Sequence, residues 1–368
     1  MENLLGDADL REHVEFSLVN TTRRAGRAAG RATFENARNV VADALRVGVA
    51  ARKVDVVHVQ TALLPSLPLL RAVLLCAAAR TSGAAVVCHV HSGRLNSGRE
   101  EAFQPSTTYR VLLHVLGATV DRMIAVAEPG RVALRASLPA TPVTTVHNAV
   151  DVATFDVASP DAPGAWPVYV GTLSRRKGLE DLVDALALAR ARGNDIELDV
   201  VGGGHEVGEE EAGRLRDVVA RSGLTVRLHG SLDAAGVRDA LHRASCFVLP
   251  SHWEGQPIAI DEAMASGLPV VVTAVGANPD VVRHGVDGFV VPSHDVSALA
   301  DALERLHDDP ELRRRMGTSA RQRAEEELDL PVLRSHLLDE YAAAARARPR
   351  RAPRVGGSPP LLPAGRDV

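Results

Sequence analysis

The segment 250-PSHWEGQPIAIDEAMASGLPVVVT-273 holds more chemically distinctive residues than any other part of this sequence. Apolar residues precede it and end it, and this pattern predicts a strand, a loop, a helix and a second strand. Gly255 favours a tight turn, and Pro257 suits a first helical turn, so we expect the helix to begin near Gln256. The first turn of such a helix presents unpaired backbone N–H groups that suit an anion such as a pyrophosphate.

Two carboxylates flank this predicted helix start, Glu254 before it and Glu262 within the helix. Glycoside hydrolysis uses paired carboxylates about 5 to 9.5 Å apart. Eight residues of helix would instead separate these two by about 12 Å along the helix axis. The pair is therefore better placed to hold two parts of one elongated ligand, such as a ribose and a sugar on either side of a diphosphate. The alternative is a solvated loop charge and a surface helix residue.

The composition argues against several classes of protein. With 42 basic and 46 acidic residues the net charge is −4, which does not indicate a nucleic-acid partner. Cys76, Cys88 and Cys246 are odd in number and lack Cys-x-x-Cys spacing, so they predict buried thiols in a reducing compartment. The apolar runs are too short to span a membrane, and no signal peptide is evident. We therefore expect a cytoplasmic protein.

Strand and helix patterns alternate along most of the chain, which predicts doubly wound α/β domains with parallel sheets. A chain of 368 residues favours two domains. The Pro- and Gly-containing stretch 157–166 predicts a linker between an N-terminal domain at 1–156 and a C-terminal domain at 167–341. The remaining residues, 342–368, are rich in Arg, Pro and Gly and predict a disordered tail.

A strand-like pattern opens the chain at residues 13–19, and four arginines follow it, Arg23, Arg24, Arg27 and Arg31. These arginines predict either a solvated helix face or a contact with an anionic acceptor or the inner membrane face. The other predicted strands lie at 54–59, 84–90, 122–126 and 143–146 in the first half and at 167–170, 196–201, 226–229, 246–249, 269–273 and 288–291 in the second.

Two loops that follow predicted strands carry candidate ligand-binding side chains. His91 lies at the carboxyl end of a strand, where open α/β sheets bind their ligands, although an ordinary strand-end polar residue is the alternative. Lys177, one of only two lysines in the sequence, follows Arg175 and Arg176 in another loop. A lysine there would suit a diphosphate as a mobile point charge, whereas a solvated basic loop is the alternative.

The pattern from Glu254 onward, E-G-x-P-x-x-x-x-E-A-M-A-x-G-x-P-V-V, resembles the signature of the family 4 retaining glycosyltransferases of the GT-B fold. That fold has two Rossmann-like domains that face a central cleft. In the family the second glutamate of the pattern holds the ribose hydroxyls of a nucleotide-sugar donor, and the first lies against the donor sugar. The resemblance implies these roles for Glu262 and Glu254.

The same resemblance implies roles for other residues, and it extends from about residue 55 to 325. The family's phosphate-neutralising arginine is replaced by Thr172, which leaves Arg175 or Arg176 to supply that charge. Ala149 replaces a family glycine, which predicts strain if the backbone there is left-handed. The implied catalytic residues are His91, Lys177 and Glu254, and the implied donor-binding residues are Arg175, Arg176, Gly203, Gly255, Gln256, Pro257, Ile258 and Glu262.

The activity implied by the resemblance is transfer of a sugar from a nucleotide diphosphate to an acceptor, with retention of configuration and without a metal or cofactor. Family members usually begin with a strand and a glycine-rich loop, whereas Met1 lies at the equivalent of the next strand. Either translation starts upstream or the first domain is shortened. Two alternatives follow: a catalytically impaired nucleotide-sugar-binding partner of an intact transferase, and a GT-B-like epimerase that needs no acceptor.

Overall fold

The structure, a computed structural model, describes residues 8–21, 34–63, 67–93, 106–162, 164–203 and 209–348. These residues form two parallel β-sheets, one of four strands and one of six, with helices between successive strands. The α/β class and the parallel sheets predicted from the sequence are therefore confirmed. The four N-terminal arginines and the end of the predicted tail lie outside the described residues.

The first sheet has the strand order β1-β2-β3-β4, so neighbours in space are neighbours in sequence. Its strands are β1 (Val56–Leu63), β2 (Ala85–Gly93), β3 (Arg122–Ala125) and β4 (Val143–Thr145). Its helices are α1 (Ala8–His13), α2 (Phe34–Ala51), α3 (Leu67–Thr81), α4 (Thr107–Thr119) and α5 (Glu128–Ser137).

The strand predicted at 13–19 is wrong. Residues 14–21 have no regular structure, and His13 ends helix α1. The strand-like pattern misled the prediction because the segment is only partly covered: Val19 packs against the core of the first sheet, whereas Leu18 is 61% exposed. In the described part of the chain, β1 pairs only with β2 and forms the edge of the first sheet.

The second sheet has the order β10-β9-β8-β5-β6-β7. Its strands are β5 (Val168–Val170), β6 (Leu198–Val201), β7 (Val226–Gly230), β8 (Phe247–Leu249), β9 (Val270–Thr273) and β10 (Gly288–Val291). Its helices are α6 (Leu179–Ala191), α7 (Glu209–Arg221), α8 (Ala234–His242), α9 (Ile258–Ala265), α10 (Asn278–Val281), α11 (Val296–Asp308), α12 (Pro310–Glu327) and α13 (Leu330–Ala347).

The central strands of this sheet are covered on both faces, which explains their unbroken apolar sequences. Phe247, Val248 and Leu249 of β8 are fully buried, as are the valines of β9. The chain order reverses between β5 and β8, because β5 pairs with β6 on one side and with β8 on the other. Ligands of open α/β sheets bind beyond the carboxyl ends of the strands at such a reversal.

Helix α13 returns to the first sheet, although the predicted boundary at 341 places most of it in the second domain. Its Leu333 and Leu337 pack with buried residues of β2 and β3. Glu340 pairs with Arg122, and the Tyr341 hydroxyl lies 2.7 Å from His58 Nδ1.

None of the helices in the described part of the chain combines the length and the apolar character that a membrane-spanning helix needs.

Candidate active site

The loops after β5 and β8 touch at the reversal of strand order. The first loop contains a 3₁₀ turn, Arg175–Lys177, and ends at Gly178, whose φ of +70° suits glycine. A Cβ added to Gly178 would lie 1.9 Å from the carbonyl oxygen of Pro250, at the start of the second loop. The two backbones can therefore approach this closely only because residue 178 has no side chain.

Glu254 in the second loop receives hydrogen bonds from three side chains. Lys177 Nζ and Ser251 Oγ donate to Glu254 Oε1 at 2.6 and 2.8 Å, and Arg176 donates to Oε2 at 2.9 Å. Arg176 also lies over the ring of Trp253, with 4.9 Å between the guanidinium carbon and the ring centroid. The structure therefore brings together two of the predicted cations and the first predicted carboxylate.

This network differs from the predicted picture of Lys177 as a mobile charge. The lysine is 9% exposed and Glu254 is 6% exposed, so both charges are largely removed from water and compensate each other. The Arg176 side chain is 25% exposed and keeps one face toward solvent. The positive charge of the 3₁₀ turn is thus held in a fixed position, which is the arrangement that a preorganised anion site requires.

The helix after Glu254 begins two residues later than predicted. Helix α9 starts at Ile258, and Pro257 is its N-cap with extended backbone angles. Gln256 does not join the helix because its side chain and backbone bind Asn148 of the first domain: Asn148 N donates to Gln256 Oε1 at 2.6 Å, and Asn148 Nδ2 donates to Gln256 O at 3.1 Å. Ile258 is 50% exposed at the helix start.

Asp261 is a candidate site residue that the sequence analysis missed. It is fully buried on α9, and Gln256 Nε2 donates to its two carboxyl oxygens at 3.1 and 3.0 Å. Burial raises the pKa of this carboxyl well above its usual range. Asp261 thereby orients Gln256 toward Asn148. Its position next to Glu262 was the available signal, but the sequence could not show which face of the helix is buried.

Glu262 lies half-buried on the same helix. Among the residues that the structure describes, none donates a hydrogen bond to its carboxylate. Burial raises the pKa of Glu262 to about 7, and the charge of Arg238 opposes that rise only in part. A carboxylate in this state is ready to accept hydrogen bonds from a ligand, and vicinal sugar hydroxyls are suitable donors.

His91 lies at the end of β2 in the first domain, as predicted. Its Nε2 atom is buried without a hydrogen-bond partner among the described residues. Burial lowers the pKa of His91 to about 4, and a hydrogen bond with Asn148 opposes that shift. The ring is therefore neutral at pH 7. Asn148 connects the two domains here, because it contacts both His91 and Gln256.

The remaining predicted residues play backbone roles in the described structure. The carbonyl oxygen of Gly203 accepts a hydrogen bond from Leu173 N at 3.0 Å, which joins the end of β6 to the loop after β5. The Arg175 backbone N donates to Glu211 Oε1 at 2.8 Å, while the Arg175 side chain is exposed. Gly255 accepts a hydrogen bond from Ala277 N and lacks a positive φ, so the tight turn expected there is not left-handed. Ala149 also lacks a positive φ, and the strain expected from its Cβ is absent.

Two family models match the chain. The model described as "Glycosyltransferase Family 4" matches residues 6–154, and the one described as "Glycosyl transferases group 1" matches residues 165–323. Together they include both sheets and every predicted site residue.

The sequence is similar to curated glycosyltransferases over part of its length. It is 31% identical to a glycogen synthase of Mycobacterium tuberculosis strain CDC 1551 / Oshkosh, over 58% of this chain and 51% of that protein. It is 35% identical to a D-inositol 3-phosphate glycosyltransferase of Streptomyces griseus, over 50% of this chain and 40% of that protein. These matched regions thus span about half, or less, of those relatives.

The fold is similar to that of solved structures over most of the chain. A sucrose-phosphate synthase from Thermosynechococcus elongatus superposes with a TM-score of 0.73 and 22% identity over 88% of this chain and 82% of that chain. Anabaena HepE in complex with UDP superposes with a TM-score of 0.68 and 19% identity over 82% of each chain. This similarity shows the GT-B fold, and the two family-model matches, which together include both sheets, show that the chain belongs to the family 4, group 1 glycosyltransferases.

Proposed function

We propose that the chain transfers a glycosyl group from a nucleoside diphosphate sugar to an acceptor, with retention of anomeric configuration. The observation that carries this proposal is the meeting of Lys177, Arg176 and Glu254 at the reversal of strand order. On the helix that follows, the Glu262 carboxylate receives no hydrogen bond from any described residue. Fixed cations suit a diphosphate, and the free carboxylate suits a ribose. The named activities of the relatives and the UDP in the Anabaena structure support the same ligand class.

In this proposal the donor diphosphate lies against the 3₁₀ turn, and Lys177 and Arg176 share their hydrogen bonds between Glu254 and the phosphates. The N-terminus of α9 at Ile258, which the segment from Gly255 to Pro257 leads into, adds the positive end of the helix dipole. Glu262 accepts hydrogen bonds from the ribose hydroxyls. Glu254 holds the two cations in place and faces the donor sugar.

The transfer step needs neither a covalent nucleophile nor a metal ion in this proposal. The bond between the anomeric carbon and the diphosphate oxygen breaks, and the acceptor oxygen attacks from the same face. The leaving diphosphate accepts the acceptor's proton, while Lys177 and Arg176 stabilise the negative charge that develops on it. Neutral His91 contributes a hydrogen bond to the donor sugar from the first domain.

The test is turnover of UDP, GDP and ADP sugars by the purified chain, measured as nucleoside diphosphate release with and without a panel of glycan, lipid and small-molecule acceptors. We expect acceptor-dependent release with one donor class, retained in excess chelator, and a product whose anomeric proton coupling by NMR matches the donor. Exposed Glu210 provides the control variant Glu210→Gln, which should match the wild type, whereas Glu262→Gln should weaken donor binding.

Other outcomes would replace the proposal by one of its alternatives. Donor binding without turnover under any condition would favour a nucleotide-sugar-binding partner of another transferase. A changed sugar without an added acceptor would favour an epimerase. Strict loss of activity in chelator would contradict the metal-independent step.

A further inference from the structure

Asp181, His252 and His294 meet on the second domain although they come from three separate elements. Asp181 lies in the first turn of α6, His252 in the loop after β8, and His294 in the loop between β10 and α11. His252 Nε2 is 3.0 Å and His294 Nδ1 is 3.5 Å from the same oxygen, Asp181 Oδ2. The two imidazole rings lie 3.9 Å apart between centroids.

These distances match the spacing of ligand atoms around a tetrahedral metal ion. Bonds of about 2.0 to 2.1 Å to a tetrahedral zinc ion place its ligand atoms about 3.3 Å from one another. The two separations from Asp181 Oδ2 fall on either side of that value, and the three potential ligand atoms all lie within 4.8 Å of each other. Two imidazoles and one carboxylate are a ligand set that zinc and related divalent transition metals accept.

Contacts among the three side chains alone explain the cluster less completely than a bound metal ion does. His252 Nε2 lies within hydrogen-bond distance of Asp181 Oδ2, whereas His294 Nδ1, at 3.5 Å from the same oxygen, makes no hydrogen bond to it, so a hydrogen bond accounts for only one of the two histidines. His294 also holds its ring against His252 from a left-handed backbone, with φ of +64°, and no other non-glycine residue in the described ranges has a positive φ. The His294 side chain is 65% exposed, so an ion could enter from solvent.

We propose that Asp181, His252 and His294 bind one Zn²⁺ or a similar divalent transition-metal ion, with a water molecule in the fourth position. Such an ion would join the start of α6 to two loops of the second domain. One of these loops carries Glu254, and the His252 backbone N donates to the Arg176 carbonyl oxygen at 2.7 Å. The ion would therefore stabilise the arrangement of the candidate active-site loops without taking part in the transfer step.

The experiment is a titration of the tag-free chain with ZnCl₂, followed by calorimetry and thermal unfolding. We expect one saturable site and a rise in Tm of about 5 °C or more at a Zn²⁺ concentration of about 100 times Kd. The three cysteines are buried and do not compete. Cobalt can replace zinc as a spectroscopic probe, because its visible absorption reports the geometry of its ligands.

Two variants and one control separate this site from adventitious binding. His294→Gly removes a ligand while it suits the left-handed backbone, and Asp181→Asn removes the carboxylate charge with little change in shape. Both should lose the calorimetric signal and the Tm rise, whereas His242→Ala, at an exposed histidine of α8, should keep both. An absent zinc response, or an equal response in His294→Gly and the wild type, would overturn the proposal and leave an ion-pair network.

Discussion

Lys177 Nζ donates a hydrogen bond of 2.6 Å to Glu254 Oε1 across 77 residues of sequence. The two residues meet because β5 and β8 are neighbours in the second sheet, although two strands separate them along the chain. The pair places a buried cation and a buried carboxylate where the sheet's ligand site is expected. The proposed donor site is thus built around a salt bridge between two buried side chains.

Loss of the lysine should destabilise the fold as well as impair donor binding. Lys177→Met leaves the buried Glu254 carboxylate with Arg176 and Ser251 only, and we expect a loss of about 2 to 3 kcal/mol in the free energy of unfolding. The double variant Lys177→Met/Glu254→Gln should be more stable than the sum of the single changes. Urea unfolding measures all three, and strictly additive losses would show that the pair is not coupled.

The close approach of the two active-site loops should depend on Gly178. In Gly178→Ala the new Cβ would overlap the Pro250 carbonyl oxygen, so we expect the loops to separate and donor binding to be lost. Gly193→Ala is the matched control, because Gly193 also has a positive φ, +105°, but nothing lies within 4 Å of its added Cβ. Gly193→Ala should therefore lose only about 1 to 2 kcal/mol in the free energy of unfolding, because backbone strain is its only effect. Equal effects in both variants would contradict the contact.

Donor affinity should rise with pH because of Glu262. Burial raises the pKa of Glu262 to about 7. The contribution of this carboxyl to folding stability is therefore fully present below pH 4.5, and it is lost as the pH rises through 7. Ribose hydroxyls donate to the ionised form, which is a minority at pH 6 and a majority at pH 8. We expect up to about tenfold tighter donor binding across that range.

Glu262→Gln is the control for this pH dependence, since it removes the titrating group and leaves any titration of the ligand unchanged. Calorimetric titrations at several pH values should give a slope in the wild type and none in the variant. The same slope in both proteins would place the titrating group elsewhere.

The hydrogen bonds between Asn148 and Gln256 should stabilise the contact between the two domains. Gln256→Ala removes the donor to the buried Asp261 and the acceptor for Asn148 N, so we expect a loss of about 1 to 3 kcal/mol in unfolding free energy. Gln322→Ala, at an exposed glutamine of α12, should change stability by about 0.5 kcal/mol or less. An unchanged free energy of unfolding in Gln256→Ala would show that the contact with Asn148 does not contribute to stability.

The strands of both sheets could be predicted from the sequence because most are buried and apolar. The segment at 13–19 shows the limit of that reasoning, since an alternating pattern predicts a strand only if some surface buries one of its faces. The motif that begins at Glu254 likewise predicted the first residue of α9 to within two positions. Gln256 shifted the helix start because it binds Asn148, a partner in the other domain that local pattern does not show.

Most individual residues of the candidate site could be predicted from the sequence, but the contacts between them could not. Lys177 and Glu254 were both predicted from a family resemblance, whereas their pairing follows from the strand order of the sheet. Asp261 was missed because its role depends on which face of α9 is buried. His252 and His294 were missed because they lie 42 positions apart in sequence and meet Asp181 only in the folded chain.

The most direct test of the proposed donor site is calorimetric titration of the chain with UDP, GDP and ADP sugars, with Glu262→Ala measured in parallel. We predict binding of one donor class with a Kd in the micromolar range and a loss of about 2 kcal/mol or more in the variant. Absence of binding by the folded wild-type chain, or equal binding by the variant, would contradict the account.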